Sequence, residues 1–336
     1  MGGDYGPPVT VPAAMDALAN HPDLSLMLVG DEAVLRETLS TFSYDPRRLT
    51  VLHASERVGM DESPASALRN KKDSSMRVAI NQVKEGVAGA CVSAGNTGAL
   101  MAIGKFVLKT LPGIDRPAII SAFPTANRHK KVRILDLGAN VDSRAEHLVQ
   151  FAVMGSLLAS AVDNIKVPKV YLLNIGAEAI KGNEQVRQTA QLLANVSAIH
   201  YAGFIEGDGI YQGHADVVVC DGFVGNVALK TTEGVANFVR DLINDAFRRN
   251  WATKLAGLMV KPILKDFVKR IDPALYNGAT FIGLKGTVIK SHGGAKISAF
   301  AHAIEEAMIE VEKNVTTRLQ QDIETILKQP LSPQDE

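Results

Sequence analysis

The 336 residues are 46% hydrophobic, 21% charged and 5% aromatic, enough chain for one large or two ordinary domains around an aliphatic core, and a composition that excludes collagenous and disordered classes. Lysine plus arginine and aspartate plus glutamate both total 36, so the basic surplus of a nucleic-acid binder is absent. Two cysteines, Cys91 and Cys220, are too few for a disulfide framework or a zinc knuckle, and neither a signal peptide nor a run of about eighteen apolar residues is seen. A reducing cytoplasm is the expected compartment.

In chain order, Met1-Gly-Gly-Asp-Tyr-Gly-Pro reads as a tight glycine loop before a helix opening near Val11-Pro12. Such loops ordinarily follow a strand, and none precedes this one, so the first strand is expected to be missing. Leu24 to Gly30 is a short apolar run followed by helical spacing through Val34, Leu35 and Leu39. The same unit recurs at 90–95, 132–138, 170–176, 216–222 and 286–292. Six apolar strands alternating with helices predict βαβ crossovers. The expected fold is a three-layer α/β/α sandwich with a mainly parallel sheet, one domain over residues 1–330. Residues 233–271 keep helical spacing without a strand and are interrupted at Pro262, predicting a projecting helical pair. A polar-faced closing helix is expected over 302–328, and the tail from Gln329, with 331–336 beyond the domain, is expected to be disordered.

In an open parallel sheet, ligands bind beyond the carboxyl ends of the strands. The loops read there are 93–98, 136–142, 174–182, 221–226 and 290–296, all rich in glycine and asparagine. Converging backbone N–H groups and helix N-termini favour an anion, although any one such loop is equally an ordinary βα turn. Phosphate-binding P-loops, dinucleotide fingerprints, zinc-protease motifs and nucleophile elbows are all absent. Cys220 sits beside Asp221, which would raise its thiol pKa, so it reads as structural, and Cys91 reads as core. His292 is the histidine on a strand-end loop, flanked by Lys290 and two glycines; Lys181 and Asn226 fall where a developing anion needs a donor.

Those loops, with Val92 to Met101, Leu135 to Asp142, Asp221 to Asn226, Tyr276 to Ala279 and Leu284 to Gly293, resemble the bacterial phosphate acyltransferase (PlsX) family of phospholipid synthesis from residue 1 to about 315. The resemblance implies transfer of a fatty acyl group from acyl carrier protein to inorganic phosphate, an isocitrate- or isopropylmalate-dehydrogenase-like fold and a homodimer; no cofactor and no metal are expected. Members of that family carry a strand ending in Asp just before the Met-Gly-Gly-Asp loop, and this chain departs there. Phosphate is then the nucleophile, so no serine or cysteine nucleophile is required. By position, Lys181 is assigned to phosphate or oxyanion charge, Asn226 to a hydrogen bond on either, and His292 to proton transfer. Gly3, Asp4, Ser93, Asn96, Thr97, Asn140, Asp221 and Lys290 are the expected substrate-binding set.

A coenzyme A-dependent enzyme of the same fold and a non-catalytic membrane-surface protein are the alternatives. A metal-dependent dehydrogenase finds only Asp136 and Asp142, six apart, as a close acidic pair. The basic run Arg128 to Arg133 is a candidate docking site for the acidic carrier protein. Residues 248–270 carry a net charge of plus six, with Trp251, Leu255, Leu258, Met259, Ile263 and Phe267 at helical spacing. That pattern suits a dimer contact or an anionic membrane surface, where the enzyme would meet the glycerol-phosphate acyltransferase that uses its product.

Overall fold

The computed structural model describes residues 1–178, 180–260 and 276–327. The six apolar runs are strands: β1 Leu26–Gly30, β3 Ala90–Ser93, β5 Lys131–Leu135, β6 Lys169–Leu173, β8 Val217–Val219 and β10 Thr287–Lys290. Four more, β2 Leu49–His53, β4 Ala118–Pro124, β7 His200–Ile205 and β9 Ala279–Ile282, do not run directly into a long helix, so the strand–loop–helix signal misses them.

Eight strands form one sheet in the order β3-β10-β9-β4-β5-β8-β6-β7, and β1 and β2 form a separate parallel pair. The sheet is mixed: β3 and β10 are parallel, β5, β8, β6 and β7 are parallel, and β9 and β4 are antiparallel to their neighbours. The physical reason is the connection between β4 and β5. It is six residues long, too short for a crossover helix, so the chain turns straight back and the second parallel block runs opposite to the first.

Helices cover both faces. Leu135, Val217 and Val219 face α6 Ala145–Asp163 and α11 Val315–Leu327, while Ile134 and Val218 face α5 Thr97–Leu108 and α4 Ser75–Lys84. That alternation along β5 and β8 is the period of two expected of strands buried on both sides. The remaining helices are α1 Pro7–Asn20, α2 Glu32–Leu39, α3 Pro64–Asn70, α7 Glu184–Ala194, α8 Gly222–Arg248, α9 over 251–260 and α10 Ile297–Glu312.

Four expectations change. Helix α1 opens at Pro7, four residues before the expected start, because two prolines suit the first turn of a helix. The closing helix over 302–328 is two helices, broken where Asn314 takes a left-handed φ of 52°. The segment expected to be helical from 233 begins at 222, and the described reversal lies at 249–250, with α9 folded back so that Gly257 meets the Phe247 ring. The Pro262 interruption and the tail from Gln329 lie outside the described residues. Finally, α6 is long and apolar enough to cross a membrane, but 78% of its apolar window is buried inside the protein, as a core helix requires.

Candidate active site on the α8 face

The start of α8 lies directly on the loop after β5. Asp136 is buried, and its carboxylate accepts the N–H groups of Ile119 (2.9 Å), Gly138 (3.2 Å), Ala139 (2.9 Å) and Asn140 (2.7 Å), plus the Asn140 side-chain amide (2.8 Å). Burial pushes that carboxyl up, and these donors oppose the shift. Asp221 caps α8 by accepting from Val224 N–H at 2.9 Å. Gly222 and Gly225, three apart on one helix face, permit the contact: a β-carbon at either would lie 2.5 Å from the Asn140 oxygen or 1.9 Å from the Asp136 oxygen. Asn226 follows, packed over Gly138, whose φ of 122° suits glycine alone.

A second group gathers after β10. Asn277 donates from Nδ2 to Ser291 Oγ (2.8 Å) and accepts the His292 N–H (2.8 Å), which holds the loop. Gly294 N–H donates to His292 Nδ1 at 3.1 Å, leaving Nε2 as the proton-bearing nitrogen. Asp4 N–H donates to the Gly293 oxygen at 2.9 Å, and the Asp4 carboxylate lies over Gly293 and Gly294. Lys290 is buried beneath, its ammonium bonded to the Ser291 carbonyl. Burial and the nearby Lys230 ammonium push Lys290 down to about 8, against the attraction of Asp4. Partial burial, then Lys230, hold the His292 imidazole below its ordinary value.

The five loops are therefore not at one sheet edge, as a uniform parallel sheet would place them. The strand senses set the loops after β3 and β10 at the end opposite to those after β5, β6 and β8. Helix α8 bridges the two. Asn226 and Lys230 are four residues apart, so they share one helix face about 6 Å apart along the axis. The first touches the Gly138 loop, and the second acts on Lys290 and His292. Lys230, paired with Glu233 at 2.8 Å, was not among the expected residues; its signal is the helical spacing from Asn226.

Several expected binding residues have other work. Asn96 caps α5 and gives its amide to the carbonyls of Gly59, Met60 and Glu62. Asn140 is buried and bonds Pro117 and Asp136. Ser93 Oγ accepts from Gly95 N–H at 3.1 Å. Gly3 holds a φ of 83° beside Ala94, and Thr97 is exposed at the start of α5. Lys181 is exposed, its carbonyl held by Asn174 (3.3 Å), and no described contact joins it to Asn226 or His292. In the basic run, Arg133 is buried against Asp163 at 2.5 Å, which removes it from any docking surface; Arg128, Lys130 and Lys131 are exposed. Among the described residues no cluster of metal-ligating side chains occurs.

The chemistry offered is a pair of lysines, Lys230 and Lys290, beside the neutral His292 imidazole, with Lys230 one helical turn from Asn226. If Lys290 holds an anion, the phosphate KM should rise as pH passes about 8 and its cation is lost. Lys290→Gln should raise that KM at neutral pH and abolish the rise; an unchanged profile in the variant would remove Lys290 from the site. For folding the sign is opposite, because a lysine depressed in the native state makes the fold more stable as pH climbs above about 8.

A family profile described as "Fatty acid synthesis protein" matches residues 1–318. Proteins named "Phosphate acyltransferase" are similar along nearly the whole chain: one from Legionella pneumophila (strain Paris) is 55% identical over 332 residues, and one from Coxiella burnetii (strain Dugway) is 57% identical over 332, each match covering 98% of this chain and 96% of the relative. Among solved structures, the EutD phosphotransacetylase from Staphylococcus aureus aligns with a TM-score of 0.58 at 15% identity, over 92% of both chains. A 4-hydroxythreonine-4-phosphate dehydrogenase from Klebsiella pneumoniae aligns at 0.52 and 15%, over 93% of this chain and 96% of that one. At such identities these two speak for the α/β sandwich fold alone.

Proposed function

The chain belongs to the fatty acid synthesis protein family, with relatives named phosphate acyltransferase, and we propose that this acyltransferase moves a fatty acyl group from acyl carrier protein to inorganic phosphate. The observation that carries this reading is the Lys230, Lys290 and His292 cluster beside Asn226, in a protein whose two thiols are both buried. Hydrogenphosphate sits against the lysines, and one of its oxygens attacks the thioester carbon. Asn226 and Lys181 meet the developing oxyanion. The carbon–oxygen bond forms and the carbon–sulfur bond breaks; the proton that hydrogenphosphate loses ends on the departing sulfur, and the His292 Nε2–H donates a hydrogen bond to that sulfur as its charge develops. Positioning of the two reactants supplies several kcal/mol of the rate gain.

A protein nucleophile is disfavoured on physical grounds. Burial and then Asp221 raise the Cys220 thiol well above its ordinary value, and burial takes Cys91 to about 12. Cys220→Ser should therefore keep near-parental turnover; a loss of about a hundredfold, or an acyl group trapped on Cys220, would contradict direct attack. The donor is tested by comparing kcat/KM for acyl carrier protein and coenzyme A thioesters of one chain length, with the carrier protein expected to be favoured. Exposed Arg128 and Lys130 lie in the β4–β5 turn and exposed Lys131 opens β5, at the sheet end that holds His292, where an acidic carrier would bring its thioester.

A place at the membrane and a homodimer belong to the same proposal. Helices α8 and α9 expose Phe238, Leu242, Trp251, Leu258 and Met259, an apolar stripe a monomer in water would not keep. The base of the pair packs a twofold dimer, and its Trp251 end meets anionic lipid. From there a cytoplasmic enzyme passes acyl phosphate to a glycerol-phosphate acyltransferase on the way to phosphatidic acid. Sedimentation with anionic liposomes, release by salt, and loss of binding in a Leu258→Glu, Val260→Glu double variant that still dimerises are the expected results.

A further inference from the structure

The turn over 59–62, between β2 and α3, is braced from several directions. Asn96 Nδ2 donates to the carbonyls of Met60 (2.8 Å), Glu62 (2.9 Å) and Gly59 (3.3 Å), while Asn96 Oδ1 accepts Ala99 N–H at 3.0 Å as the cap of α5. Glu62 closes the turn from within, its carboxylate accepting Gly59 N–H (3.2 Å) and the Ser66 hydroxyl (3.0 Å). Val58 is buried in the core just before the turn, and Pro64 packs against Gly98 just after it. The side chain this bracing presents is Met60, which is 45% exposed. Its terminal methyl reaches the loop after β10: a β-carbon on Gly293 would lie 3.0 Å from Met60 Cε and 3.3 Å from an Asp4 carboxylate oxygen. His292 precedes Gly293 and is itself exposed.

One apolar side chain at a surface is ordinary, but ordering a long, flexible one there costs entropy that contact with water does not return. Here the backbone of Met60 is fixed by the Asn96 amide, so the thioether is held against the His292 loop in readiness for a partner. Charge decides which of the two reactants that partner is. Phosphate is drawn to Lys230 and Lys290, and the Asp4 carboxylate beside Met60 repels it, so the place over Gly293 suits the uncharged reactant. We propose that Met60 is the acyl-side contact of the site: its thioether packs on the first carbons of the fatty acyl chain, next to the thioester, and Asn96 is the positioning residue that holds it there. The inference rests on acyl transfer to phosphate as the reaction.

The test measures the KM for acyl carrier protein thioester and the KM for phosphate separately, in the parent, Met60→Ala, Met60→Leu, Asn96→Ala and the Met60→Ala, Asn96→Ala double variant. Met60→Ala should raise the thioester KM about tenfold and leave the phosphate KM within about twofold of the parent, and Met60→Leu should restore the thioester KM. Asn96→Ala should raise the thioester KM in the same way, and the double variant should be no worse than the weaker single variant, because both substitutions remove one contact. An unchanged thioester KM in Met60→Ala, or a phosphate KM that rises as much, would overturn the proposal. If Asn96→Ala fails to fold, the two Met60 variants decide it by the same criteria. A parent that moves no acyl group to phosphate would instead overturn the reading of the reaction, and this proposal with it.

Discussion

Asn226→Ala is expected to lower turnover by about a hundredfold or more and leave the melting temperature close to that of the parent, since losing one oxyanion donor removes transition-state stabilisation without touching the core. The side chain is exposed on the first turns of α8 and makes no hydrogen bond among the described residues, so its removal leaves nothing buried unpaired. Lys181→Ala and His292→Ala should behave alike in turnover. Lys230→Ala should instead act mainly through the phosphate KM, because its place beside Lys290 and His292 is a ground-state anion site. Steady-state kinetics with phosphate and thioester varied in turn separate these effects. Near-parental turnover in Asn226→Ala would reduce that residue to a packing contact on Gly138.

Gly225→Ala should be the most damaging small substitution in the scaffold. Its new methyl would lie 1.9 Å from the Asp136 carbonyl oxygen and 3.0 Å from Cys220 Sγ, so α8 must lift away from the loop that positions Asn226. A loss of about 3 kcal/mol or more in stability, together with most of the activity, is expected. Gly234→Ala, farther along the same helix, meets nothing within 4 Å and should stabilise by about 0.5–1 kcal/mol. Chemical denaturation of the two variants beside the parent checks the contrast; equal effects would mean that the Gly222 and Gly225 contact does not set the position of α8.

Much of this was legible in the chain. The mainly apolar runs ending in Gly30, Gly95, Gly138 and Gly222 mark real strands, and β8, buried at every position, shows the reason most plainly: a strand covered on both faces is apolar throughout. Strand sense was not legible. Whether β4 returns as β5 depends on a six-residue connection, and nothing in Thr125 to Lys130 distinguishes a turn from the start of a crossover. That one reversal sends the His292 loop and the Asn140 loop to opposite ends of the sheet. The same limit explains Asn96 and Asn140, which look like anion ligands in a glycine-rich loop and serve as caps and braces once their neighbours are in place. Lys230 was hidden differently, since it lies on the helix rather than in the loop and gains its meaning from Lys290 and His292, about 60 residues away.

Direct attack by phosphate is tested most simply by a single turnover of acyl-loaded carrier protein with and without inorganic phosphate. Thioester should disappear only when phosphate is present, with hydroxylamine trapping the product as an acyl phosphate and with no acyl group on the protein. Thioester loss at the same rate without phosphate, or an acyl group recovered on any side chain, would contradict it.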